Sequence, residues 1–120
     1  MPSPTIVLGA SEKPHRYAYM AVQRLTGAGH PVHAVGRRPG RIATLPITTQ
    51  IDPDFPVHTV TMYLSEKNQQ DWQERLLTLR PKRVIFNPGA ENPAFEKELE
   101  RAGVEVVHGC TLVMLATGVY

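Results

Sequence analysis

Residues 9–16, Gly-Ala-Ser-Glu-Lys-Pro-His-Arg, place a turn glycine, a hydroxyl and three basic side chains directly after an apolar run. A glycine there lets the backbone double back, and the amides ahead of the following helix can bind phosphate without a dedicated lysine. Ser11 offers a hydroxyl and an amide, while Lys13, His15 and Arg16 supply charge. The stretch fits neither G-x-G-x-x-G nor G-x-x-x-x-G-K-[ST], so an ordinary strand-to-helix turn accounts for it equally well.

A second cationic stretch reads Gly36-Arg37-Arg38-Pro39-Gly40-Arg41. Dinucleotide folds commonly carry Asp or Glu at this point to accept hydrogen bonds from the NAD ribose. A guanidinium instead grips a phosphate in bidentate fashion. The substitution argues against NAD and for an adenosine whose ribose is phosphorylated, as in NADP or coenzyme A. The plain alternative is a solvated basic loop.

Three further segments complete the candidates. Tyr63-Leu64-Ser65 could wall a partly apolar chain such as pantetheine, although Leu64 fits a core position equally well. In Asn87-Pro88-Gly89-Ala90-Glu91-Asn92, the last two residues suit a role holding neighbouring amides or capping a helix. Asn87 and Gly89 are open to a ligand amide. His108 and Cys110 suggest a nucleophile pair, and a helix starting at Cys110 would lower its thiol pKa. No Asp or Asn orienter accompanies them, however, and a free cysteine is more often a small buried residue. The five histidines lack metal-ligand spacing.

Each segment follows a strand. Thr5–Gly9, Pro31–Gly36, Val57–Tyr63, Lys82–Asn87 and 104–109 read as five short strands. Between them, Ala18, Ala21, Val22 and Leu25 recur at helical spacing and stop at Gly27 and Gly29. Residues 65–80 form a helix with Ser65 as N-cap and Trp72, Leu76 and Leu79 inward. Residues 92–103 form a shorter one with Phe95, Leu99 and Ala102 inward. Residues 37–56 hold four of the eleven prolines and no sustained period, and read as an irregular loop. The alternation predicts an α/β fold: a three-layer Rossmann-like domain with a parallel sheet of about five strands. In such sheets ligands sit beyond the carboxyl ends of the strands, where strand order reverses.

The 120 residues are enough for one domain, expected to span 1–120. A net charge of +2 suits a small anionic ligand and is too weak to argue for nucleic acid. A single cysteine rules out an intramolecular disulfide and fits a reducing compartment. No basic-then-apolar leader or membrane-spanning run is evident, so a cytoplasmic protein without membrane partners is expected. The apolar tail 110–120 could be buried in a monomer or at a homodimer interface.

Taken together and in order, "VLGASEKPHR", "HPVHAVGRRPGRI", "VIFNPGAEN" and "AGVEVVHGCTLVML" resemble the small stand-alone CoA-binding proteins. Their domain is similar to the N-terminal part of the succinyl-CoA synthetase alpha subunit, and the resemblance runs over residues 5–118. It implies non-covalent binding of coenzyme A or an acyl-CoA. It further implies phosphates at Gly9, Ala10 and Ser11, adenosine contacts at Val35 to Arg38, and pantetheine between Tyr63–Ser65 and Asn87–Gly89. Two departures touch the adenosine end: Gly36-Arg37 replaces a frequent Asn-Pro, and the usual helix signal is missing from 38–56.

The candidate cofactor-binding set is therefore Gly9, Ala10, Ser11, Arg16, Val35, Gly36, Arg37, Arg38, Tyr63, Leu64, Ser65, Asn87, Pro88, Gly89 and Cys110, with no catalytic or metal residue. None of the five histidines corresponds by position to the synthetase's phosphohistidine, so ligase activity is not expected. A small NADP-binding oxidoreductase is the alternative, since it shares the arginine argument.

Overall fold

The computed structural model describes residues 2–120. Seven strands form one sheet: β1 (Thr5–Leu8), β2 (Val32–Val35), β3 (Gly40–Ile42), β4 (Leu45–Thr48), β5 (Thr59–Met62), β6 (Arg83–Phe86) and β7 (Glu105–His108). The helices are α1 (Tyr17–Gly27), α2 (Gln70–Leu79, preceded by a 3-10 turn at Glu66–Gln69), α3 (Pro93–Arg101) and α4 (Thr111–Ala116).

The strand order is β3-β4-β2-β1-β5-β6-β7. All neighbours pair in parallel except β3, which runs antiparallel to β4 at the edge. Without β3 this is the Rossmann order, and it reverses between β1 and β5.

The five expected strands are all present, and the sheet is larger than expected by two. The extra pair, β3 and β4, lies inside the stretch read as an irregular loop. Strands of three and four residues are too short to show a period. The hairpin turn also lacks the usual Asn-Gly signal, because Ala43 takes the positive φ of +53° itself. Pro46 further disguises β4, since it cannot donate to a ladder. It is tolerated because β4 meets β2 only at Ile47 and Thr48.

The central strands are buried on both faces, as parallel sheets require; every residue of β1 and β5 is buried. Alternation then splits the core in two. Ile6, Leu8, Val60, Met62 and Phe86 face Leu76 of α2 and Phe95 and Leu99 of α3. Val7 and Ala34 face Ala18, Ala21, Val22 and Leu25 of α1, with Leu112 and Leu115 of α4 alongside. Each fully buried Val, Leu, Ile, Met or Phe among them contributes about 1.5–3 kcal/mol. The apolar tail is thus divided, with Leu112, Leu115 and Tyr120 packed on the core and Val113 and Val119 exposed.

Tyr120 closes the amino-terminal edge of the sheet, opposite the strand ends of interest. Its hydroxyl is hydrogen-bonded with Thr5, its ring lies under the Arg83 guanidinium at 4.4 Å, and its carbonyl accepts from Arg83 Nη2 at 3.1 Å.

Candidate functional site

Beyond the carboxyl ends of β1 and β5 lies a cleft of about 590 Å³, within the usual range for small-molecule sites. Its floor is the turn after β1. Gly9 sits at φ +100°, and a Cβ there would come within 3.2 Å of Tyr63 and of the Leu64 amide. Only glycine lets β1 and β5 end this close together.

The Val35 carbonyl accepts from both Gly9 N at 2.9 Å and Ala10 N at 3.0 Å. Those two amides are consumed in tying the turn to β2. Ser11 Oγ accepts from Lys13 N at 3.1 Å. Among the described residues the amides of Ser11 and Glu12 donate to nothing, so the unspent donors of the turn lie one step further on than its glycine.

Gly36 has a different reason to be glycine. A Cβ there would stand 2.5 Å from the Ala10 carbonyl oxygen, because the turn after β1 packs directly over the end of β2.

The cleft walls carry Lys13, Arg16, Arg37 and Arg38, with Glu12 as the one carboxylate. Glu12 is occupied, since its Oε2 accepts from Arg41 N at 3.1 Å. Among the described residues the one close contact between a basic and an acidic side chain is His108–Glu96, between β7 and α3 and outside the cleft lining. The guanidinia of Arg16, Arg37 and Arg38 are thus free of carboxylate partners there, and they give the cleft a positive potential suited to an anion.

The opposite wall is less polar, with Tyr63, Leu64 and Ile47 beside Ser65 and Asn68. Burial pushes the Tyr63 phenol up to about 12; Cys110 and Tyr120 add to the shift, and the Thr61 and Thr111 hydroxyls oppose it. Those two hydroxyls are already bonded to each other at 2.7 Å. The Tyr63 hydroxyl is left buried without a well-formed hydrogen bond among the described residues.

The cleft therefore gathers Gly9, Ala10, Ser11, Arg16, Arg37, Arg38, Tyr63, Leu64 and Ser65 from the candidate set. Val35 is fully buried and contributes its carbonyl. Gly36 borders a neighbouring cleft. Asn87 is buried and committed within the protein: Nδ2 donates to Thr61 Oγ1 at 2.8 Å and to the Met62 carbonyl at 2.9 Å, and Oδ1 accepts from Thr111 N at 2.9 Å. It joins β5, β6 and the start of α4. Pro88 and Gly89 are exposed on the turn beyond it, and Cys110 stands partly exposed at the N-cap of α4; none of the three lines the cleft.

Glu91 and Asn92 play the holding roles read from their positions. Glu91 Oε1 accepts from Gly89 N at 3.0 Å, and Asn92 Oδ1 caps α3 by accepting from Phe95 N at 3.3 Å. His108 pairs with Glu96 at 2.6 Å rather than forming a dyad with Cys110. Among the described residues no cluster of His, Cys, Asp or Glu is placed to hold a metal ion.

The sequence reading missed Ile47 and Asn68 of the lining. Ile47 was hidden with β4, whereas Asn68 follows the end of β5 closely enough to have been found. It also missed Gln69, which is fully buried. Its Nε2 donates to the Leu64 carbonyl at 2.9 Å and the Ala90 carbonyl at 2.6 Å, and Oε1 accepts from Asn92 Nδ2 at 3.0 Å. The Leu64 wall is thereby tied to the cap of α3.

Comparison with known proteins bears on the family and the fold. The family described as the CoA binding domain matches residues 4–116. A crystal structure of an uncharacterized protein is 42% identical, with a TM-score of 0.96 over 100% of this chain and 99% of its own. A Thermus thermophilus protein is 25% identical, with a TM-score of 0.85 over 98% of this chain and 91% of that one. A dinucleotide-forming acetyl-coenzyme A synthetase from Ca. Korarchaeum cryptofilum shares the fold at 19% identity and TM-score 0.68, over 88% of this chain and 25% of that one. None of the curated proteins matches the chain.

Proposed function

The chain belongs to the CoA binding domain family, and we propose that its cleft binds coenzyme A or a short acyl-CoA without catalysing a reaction on it. The observation that carries this reading is the polarity gradient across the switch point. Unpaired guanidinia and the free Ser11 and Glu12 amides stand at the β1 and β2 ends, and Tyr63 and Leu64 at the β5 end. A ligand with a phosphorylated, anionic half and a long, mostly apolar half matches that gradient. In this reading the pyrophosphate rests on the turn after β1, the adenosine half reaches Arg37 and Arg38, and pantetheine passes along Tyr63 and Leu64.

The non-catalytic part of the proposal rests on the groups that surround the cleft. Its ionisable side chains are cations, a carboxylate engaged with a backbone amide, and a phenol held neutral by burial. None combines a nucleophile with a base in hydrogen-bond reach. The protein is then a carrier, sensor or reservoir of the cofactor, acting as a monomer or homodimer in the cytoplasm.

Calorimetric titration with CoA, acetyl-CoA and NADPH tests the reading. Both CoA species are expected to bind, with Arg38→Ala weakening CoA about 10-fold through loss of a charge-assisted contact. The cationic ends of the cleft would equally suit the ribose phosphate of NADP. Binding of NADPH in place of CoA would reverse the assignment towards a small oxidoreductase-like protein.

A further inference from the structure

Residues 36–40 form a strap from β2 to β3 that carries Arg37 and Arg38 along the cleft. Gly36 fixes its near end: the amide donates to the Thr48 carbonyl at 2.9 Å, and the residue lies under the Ala10 carbonyl. Among the described residues Arg37, Arg38 and Pro39 make no backbone hydrogen bond of their own. The strap therefore depends on what holds its two ends.

The far end meets Glu12. Strand β3 is the edge of the sheet, and Arg41 lies opposite Pro46, which has no N–H to exchange. The Arg41 amide donates instead to Glu12 Oε2 at 3.1 Å. The Glu12 stem lies against Gly40, where a Cβ would stand 2.5 Å from its Cγ and Cδ. Both ends of the strap are thus seated on the turn after β1, one by Ala10 and one by Glu12.

Glu12 is also unusual in what it leaves alone. Lys13, Arg16, Arg37 and Arg38 line the same cleft, yet among the described residues Glu12 forms an ion pair with none of them. Its carboxylate goes to a backbone amide, and the guanidinia stay open. Its own amide is one of the two unspent donors of the turn. One residue thus offers a donor to an anion and carries the carboxylate of an otherwise cationic cleft.

We propose that Glu12 is a positioning and specificity-determining residue of the cleft: it holds the strap so that Arg37 and Arg38 face an anion on the turn, and its charge limits how tightly that anion is held. The two effects oppose each other. The tie places cations where an anion reaches them, while the carboxylate repels the same anion. The inference rests on the proposed function for the ligand's identity, and otherwise needs only that the cleft takes an anion.

Glu12 is exposed, so its substitution leaves the core untouched. Calorimetry on the full chain with CoA and with inorganic pyrophosphate separates the two effects. Glu12→Gln keeps an oxygen acceptor for the Arg41 amide and loses the charge; it should bind both ligands about threefold more tightly than the parent. Glu12→Ala loses acceptor and charge together, and should bind about fivefold more weakly than Glu12→Gln. In an Arg38→Ala background that gap should shrink to about twofold or less, because the tie then has one cation fewer to place. A role in folding alone would not produce this coupling. Where pyrophosphate binds too weakly to measure, CoA decides.

Equal affinities of Glu12→Ala and Glu12→Gln for CoA, or a gap unchanged by Arg38→Ala, overturn the positioning role and leave the proposed function standing. Glu12→Gln binding no more tightly than the parent overturns the limiting role of the charge. The expected pattern with pyrophosphate and no binding of CoA supports the role of Glu12 and overturns the CoA assignment. Failure of both ligands to bind any of the proteins overturns both readings.

Discussion

Tyr63 illustrates how a single side chain can be costly and useful in the same place. Its ring walls the cleft, and its hydroxyl is buried with no well-formed bond among the described residues. An unsatisfied buried hydroxyl costs about 1–3 kcal/mol. Tyr63→Phe should therefore be neutral or stabilising by about 1 kcal/mol in a denaturant melt. The same phenol sets an alkaline limit. In the unfolded chain it ionises near its ordinary value of 10.0, but in the folded chain only at about 12. Across that interval the folded state holds the extra proton, so stability falls as pH rises. Tyr120 is raised in the same direction, chiefly by burial. Melting temperature should drop above about pH 10, and less steeply in Tyr63→Phe than in the parent protein.

The element that governs the cleft is the turn after β1, and it is positioned by contacts that exclude side chains. Gly36 lies under the Ala10 carbonyl with no room for a methyl group. The obstacle is backbone, so it cannot be relieved by a rotamer change. Gly36→Ala should lift the turn and break the paired bonds from Gly9 and Ala10 to the Val35 carbonyl. A loss of about 1–3 kcal/mol in stability is expected from such overpacking. CoA affinity should fall as well, because the Ser11 and Glu12 amides move with the turn. Gly89, by contrast, has open space around it and lines neither cleft. Gly89→Ala tests the same two measurements where only the positive φ of +94° is disturbed; a modest stability loss with unchanged CoA affinity is expected.

Two histidines connect segments that the sheet alone would leave loose at the scale of the whole molecule. His30 Nδ1 accepts from Ser3 N at 2.8 Å, and His33 Nε2 accepts from Asp52 N at 2.9 Å. Each contact needs an unprotonated ring nitrogen. Burial lowers the pKa of both; the Arg83 charge adds to the effect at His30, and Asp52 opposes it at His33. The unfolded chain takes up protons near 6.5, while the folded one resists until lower pH. Stability is thus full above that value and falls as pH drops towards the folded values. Thermal melts between about pH 7 and pH 5 should show this decline, and a His30→Gln, His33→Gln double variant should flatten it. An unchanged slope would exclude both residues as its source.

Periodicity and turn residues were enough to place β1, β2, β5, β6 and β7, the helical faces centred on Val22, Leu76 and Leu99, and the strand ends that border the cleft. Those signals are local, carried by alternation, by 3.6-residue spacing and by glycines that end elements. The β1 and β2 turns and Tyr63–Ser65 were legible as cleft residues for the same reason, since topology sends every parallel strand end to one edge. Tertiary structure alone decided the rest. It showed that β3 and β4 form a hairpin too short to have a period, and that Asn87 spends its amide on Thr61, Met62 and Thr111. It made Gly36 a contact point for Ala10, and it set Glu12 against Gly40 and the Arg41 amide. Each of these depends on which distant backbone atom lies within a few ångströms, a relation that no pattern along a single chain encodes.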